Sequence, residues 1–173
     1  MPVVTEISSY IRASHSGSNA FGGTFDAFMQ AMLQTTDGVG VQQADAFYMN
    51  ERQVASGAND DVDLSGVLLN VYGQVIVNVK LVAIFLINAP KNPLTAANIT
   101  NLTIGAGTNP FLGFLGGTLP TFGPIRPGGF FQLGAGHLSG LGTVTPATGD
   151  ILRIANTAGA IANYQLMLLG RSA

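Results

Sequence analysis

The chain has 173 residues, of which 47% are apolar and only 9% charged, with 23 glycines and neither cysteine nor tryptophan. This length fits one domain with a proper core. The apolar share excludes a disordered chain, and the missing cysteine excludes a disulfide framework, a thiol nucleophile and a Cys-based zinc site.

A net charge of −2 with seven Lys+Arg leaves no basic footprint for nucleic acid. The longest apolar run, Leu81 to Ile87, is far shorter than a membrane helix. The opening MPVVTEISSY lacks the basic-then-apolar layout of a signal peptide. Neither nucleic acid nor membrane is therefore an expected partner. Typical domains carry about 25% charged residues, so a soluble chain with so few suggests a surface covered by other chains.

The first predicted element is an arm. Ser8 to Thr24 is rich in Ser, Gly, Asn and Ala, with an FGG turn at Phe21–Gly23, and reads as an extended arm or loop. For Phe25 to Gln34 the pattern leaves two readings open. One is a short helix capped by Thr24 or Asp26, and the other a strand with Phe25, Ala27, Met29 and Ala31 on one face.

The segment ADAFYMNERQVASG, ending at Gly57, reads as one long strand or a hairpin bent near Asn50. GQVIVNVK then predicts a strand with Val75, Val77 and Val79 on one face. LVAIFLINA (Leu81–Ala89) reads as a strand buried on both faces, stopped by the turn NAPKNP. Beyond it come NITNLTI, GGFFQLG, DILRIAN and NYQLMLLG, separated by Gly/Pro/Asn turns.

About eight short strands roughly ten residues apart are the signature of an all-β sandwich or barrel. Irregular turns favour the longer connections of a Greek key or jelly roll. The expected organisation is an N-terminal arm and oligomerisation segment over 1–58 and a jelly-roll-like β-sandwich over 59–173.

Charge is split along the chain. Residues 1–63 hold eight acids and two bases, a balance of −6, and residues 64–173 hold one acid and five bases, a balance of +4. Either the acidic part of one copy meets the basic part of another, or the two parts pair within one chain.

Chemistry-bearing motifs are sparse. His15 and His137 are the only histidines, too few for a zinc site without carboxylates, and His137 has none nearby in sequence. GHLSG (Gly136–Gly140) places its serine one position off a nucleophile elbow. Asp61-Val-Asp63-Leu-Ser65-Gly66 matches the first half of a calcium loop, but Tyr72 stands where the closing Glu is needed.

Asn98 and Asn101 fit glycosylation sequons but read as strand residues. No carboxylate lies between Leu64 and Gly149, so an enzyme would draw its acids from the arm; the expectation is a non-enzyme without metal or cofactor. The candidate interaction residues are Arg12, the cluster Asp60, Asp61 and Asp63, and Arg126, a lone base between Pro124 and Pro127.

Several segments from Asn59 onward carry a family likeness. They are NDDVDLSG before a strand, LVAIFLINA before a polar turn, NLTIGAGTNPFLGFLGG, the IRPGG turn at Ile125–Gly129, and the ending GDILRIANTAGAIANYQLMLLGRSA. Together they resemble the small virion structural proteins of tailed bacteriophages. The resemblance implies a β-sandwich, often a jelly roll, that binds the major capsid protein on the outside of the shell as a decoration or cement protein. It implies no catalytic residue. We expect a homo-oligomer, a trimer, located on the virion surface. The rival expectations are a tail or head-fibre component and a carbohydrate-binding β-sandwich module.

Overall fold

Alternating β-branched and aromatic residues form strands, and no helix, throughout residues 2–17 and 22–173, the part of the chain that the computed structural model describes. The strands are β1 (Thr5–Ser16), β2 (Thr24–Thr35), β3 (Ala46–Val54), β4 (Asn59–Asp63), β5 (Leu68–Leu69), β6 (Val75–Ile76) and β7 (Lys80–Ile87). After them come β8 (Leu102–Gly105), β9 (Thr121–Ile125), β10 (Phe130–Gly134), β11 (Gly142–Thr143), β12 (Ile151–Asn156) and β13 (Ala162–Arg171).

Two antiparallel sheets share one core. The first has the order β10-β7-β13-β3, with β11 extending the ladder along β7; the second has the order β4-β12-β8-β9. Period-2 alternation decides which residues meet between them. Tyr48, Ile84, Leu86, Tyr164, Leu166 and Leu168 point in from the first sheet, against Val62, Leu102, Ile104, Ile125, Leu152 and Ile154 of the second. Phe111, on the loop after β8, fills the same core.

Most buried polar groups at the loops are satisfied, as a dry interior demands, although the Thr100 hydroxyl and the Asn156 side-chain oxygen have no partner among the described residues. The Asn88 side chain donates to the carbonyls of Thr100 and Ile125, each at 2.9 Å, and accepts from the Asn98 amide at 2.6 Å. The Asn156 amide donates to the carbonyls of Val54, Ala55 and Ala160. Arg171 is fully buried and gives its guanidinium to the carbonyls of Gln43, His137 and Leu138, which ties the 136–140 loop to the last strand. Burial lowers its pKa, opposed by the nearby Asp45 charge.

Several expectations change. Phe25–Gln34 is a strand, because its backbone pairs residue for residue with β1, from Thr5↔Thr35 to Ser16↔Thr24. Phe21, the first residue of the expected FGG turn, lies outside the described residues. The arm is shorter than 1–58, since β3 pairs along its whole length with β13 and belongs to the sandwich.

GQVIVNVK does not run as one strand. Asn78 turns inward and donates to the Leu64 carbonyl at 3.1 Å, so β6 ends at Ile76. Ile76 and Asn78 form the buried side, while Val75 and Val77 are exposed. Only the last part of NITNLTI enters a ladder; the Asn98 side chain is instead consumed by Asn88 and the Asn163 carbonyl.

Candidate assembly surface

The β1–β2 hairpin spans twelve residues per strand, about 40 Å at ~3.4 Å per residue. Its cross-strand register sorts the side chains onto two faces. One face carries Ile7/Leu33, Ser9/Ala31, Ile11/Met29, Ala13/Ala27 and His15/Phe25. The other carries Glu6/Gln34, Ser8/Met32, Tyr10/Gln30, Arg12/Phe28 and Ser14/Asp26. The first face is apolar almost throughout, and the second holds all the charges.

Among the described residues, only the base of the apolar face is covered. Val3, Ile7 and Leu33 pack with Phe47 on the buried Ala44, Val82, Ala83 and Leu169. Farther out, Ile11, Phe25 and Met29 are 70%, 69% and 75% exposed. A two-stranded hairpin is marginal in water by itself and needs a third layer on its apolar face.

A second apolar surface lies on the outside of the first sheet, the face turned away from the core. There β7 presents Phe85 and Ile87, β13 presents Met167, β3 presents Met49, and β10 presents Phe130. Met49 and Phe130 are exposed, and the others are half-buried. Phe85 and Phe130 meet edge to face at 6.0 Å. The reading of LVAIFLINA as buried on both faces holds at Ala83, under the arm base, but not at Phe85 and Ile87. Sequence reasoning named none of these outer-face residues, although the alternation Phe47/Met49 and Phe85/Ile87 was visible as a signal.

The acidic cluster is used inside the chain. Asp60 and Arg52 form a two-pronged pair at 2.6 and 2.7 Å, with side chains 14% and 26% exposed. The Tyr164 hydroxyl donates to Asp60 at 2.8 Å, and Arg52 also donates to the Tyr48 hydroxyl at 3.0 Å. Asp60 raises the pKa of Arg52 further, and burial, aided by the Asp60 charge, raises that of the Tyr164 phenol.

Asp61 faces Arg153 across the β4–β12 ladder and binds it through two hydrogen bonds at 2.6 and 2.7 Å. That bond holds the Asp61 carboxyl below its ordinary range. Asp63 accepts the N–H of Ser65, and the Ser65 hydroxyl lies within hydrogen-bond distance of both Asp63 and the buried Asp150, with one proton to give to either. Of the two readings of the split charge, Asp60 and Asp61 follow the intrachain one.

The remaining candidates are separate. Arg12 lies 3.7 Å from Asp26 on the polar face of the arm, both well exposed, a kind of pair that contributes little. Arg126 opens a turn whose Gly128 has φ +75° and whose Gly129 N–H returns to the Arg126 carbonyl at 2.8 Å. That is the geometry a Pro-Gly type II turn requires. The exposed Arg126 side chain has no ion pair among the described residues. His137 accepts the Ser139 N–H at 3.2 Å within its own turn. No group of three or more metal-ligating side chains converges among the described residues.

Comparison with protein-family models, with curated proteins and with solved structures finds no match to this chain.

Proposed function

We propose that this chain is a structural protein of a tailed-phage virion, a decoration or cement protein. It binds the major capsid protein on the outside of the shell as a homotrimer and stabilises that shell. The observation that carries the reading is the arm: a long, amphipathic hairpin with an apolar face that, among the described residues, is covered only at the base. A hairpin of this kind is suited to assembly rather than to substrate chemistry.

The strand order supports the reading. Counting only the eight sandwich strands in chain order, the sheets run sixth-third-eighth-first and second-seventh-fourth-fifth. We read this as a jelly roll, an architecture common in viral shells. The segments from Asn59 to the end that resemble phage virion proteins point the same way. On a symmetric shell, repetition supplies avidity, so each contact can be modest. A surface poor in charge suits burial, because neutral groups cost less to desolvate than charges do.

The test is the copy number in intact particles. Many copies spread over the shell are the expected result. A few copies confined to one vertex or the tail would make the chain a tail or head-fibre component, and absence from particles would end the virion reading.

A further inference from the structure

We infer that the apolar face of the β1–β2 arm seats on the outer face of the β10-β7-β13-β3 sheet of a second copy of this chain. The inference rests on the assembly reading above and adds the surface that receives the arm.

These two surfaces already meet within one chain. At the arm base, Ile7 and Leu33 lie on the outer face of the sheet beside Ala83 and Leu169. Leu33 comes so close to the sheet that a Cβ at Gly134 would stand 3.0 Å from its Cδ2. Farther out the arm parts from the sheet. A groove of about 560 Å³ opens between Ser9, Ala31 and Met32 on one side and Phe130 to Gly134 on the other. Within one chain the bases of the two surfaces are thus in contact. Beyond that contact the arm is exposed, while the sheet face is exposed at Met49 and Phe130 and half-buried at Phe85, Ile87 and Met167.

Their chemistry matches. The outer arm presents Ile11, Met29 and Phe25, and the sheet presents Met49, Phe85, Phe130 and Met167. The arm keeps Glu6, Arg12 and Asp26 on its other face, and within the β3–β13 ladder from Ala46 to Val54 the outer face carries one charged residue, Glu51. No like charges oppose each other, and the contact buries mainly apolar surface, favourable at about 25 cal/mol per Å².

Size then sets the arrangement. Eight residues of each arm strand beyond Ser8 form a ribbon about 27 Å by 10 Å, a footprint of roughly 270 Å² on each partner and about 540 Å² counting both. That is below the ~1,200–2,000 Å² of a stable interface. The contact is heterologous, arm against sheet, and where the rotation between copies closes it forms a ring in which every copy gives one arm and receives another. Each copy then takes part in two contacts, one through its arm and one through its sheet, so the ring is held by avidity rather than by the size of any one contact. Packing the arms against one another would cover the arms and leave the sheet faces bare, whereas exchange covers both.

The natural absence of cysteine makes the test direct. Single-cysteine variants on the arm (Ile11→Cys, Phe25→Cys, Met29→Cys) are co-expressed, under distinguishable tags, with single-cysteine variants on the sheet (Met49→Cys, Phe130→Cys, Met167→Cys). Each pair is oxidised and run on a non-reducing gel. We expect at least one arm–sheet pair to shift from the one-chain to the two-chain band, while arm variants alone stay in the one-chain band. Arm–arm linking without arm–sheet linking would overturn the inference, as would an oligomer in which no arm–sheet pair links. In either case particle binding, measured separately, would leave the assembly reading standing. A chain that neither oligomerises nor binds particles would remove that reading itself.

Discussion

Replacing Arg52 by alanine separates the two uses that the acidic cluster could have. The substitution removes two hydrogen bonds and the positive charge from Asp60, whose side chain is only 14% exposed. Removing one partner of a fully buried pair costs about 3–5 kcal/mol, because the other charge is stranded. Here Arg52 is partly solvated, and the Tyr164 hydroxyl still donates to Asp60. The expected loss is therefore about 2–3 kcal/mol.

For a domain of this size that loss lowers the melting temperature by about 5–10 °C. Thermal unfolding followed by circular dichroism reads it, with light scattering at 25 °C as the companion measurement. The oligomer mass should not change. Adding Asp60→Asn should recover part of the loss, since no unpaired charge then remains. A melting temperature within about 2 °C of the original would refute the intrachain account. So would dissociation of the oligomer without a change in unfolding.

Asp61→Asn should lower stability at neutral pH by no more than about 1 kcal/mol, since the pair with Arg153 is exposed. The folded Asp61 carboxyl lies below its ordinary value, so its contribution is present above that value and lost as pH falls through the folded one. Denaturant midpoints of Asp61→Asn and the original chain should therefore converge in acid; a gap that widens there would contradict the assignment. Gly170→Ala should cost about 2–4 kcal/mol. The new methyl would fall on the Asn78 side-chain oxygen and press the Lys80 carbonyl, displacing the buried amide from Leu64. Unchanged denaturant stability would show that this corner repacks freely.

Much of the sandwich was legible in the sequence because it obeys period 2. DILRIAN and NYQLMLLG alternate cleanly, and Leu152/Ile154 and Tyr164/Leu166/Leu168 point into the core as their spacing requires. GQVIVNVK misled for a physical reason. The buried amide of Asn78 outweighs the apolar preference of the valines, which are left in solvent on the opposite side.

The arm was half legible. The alternation of Phe25, Ala27, Met29 and Ala31 marked the right face, but helix remained open because a strand partner is a long-range fact that local spacing does not carry. The acidic cluster looked like one site in sequence. In the sheet, successive residues point to opposite faces, so Asp60 turns in to Arg52 and Tyr164 while Asp61 turns out to Arg153. The outer sheet face went unnoticed because a run such as LVAIFLINA looks the same whether its second face is covered by its own chain or by another.

If another chain covers the arm, as proposed, then removing the arm's apolar side chains must dissolve the oligomer. Light scattering on two samples at micromolar concentration tests it most directly. One is the full chain, and the other carries Ile11→Thr, Phe25→Ser and Met29→Thr, all at exposed positions remote from the core. The full chain should scatter as a multiple of 17.8 kDa, three-fold for the proposed trimer, and the variant as a folded monomer. A monomeric full chain, or a variant that keeps the full oligomer mass, would contradict it.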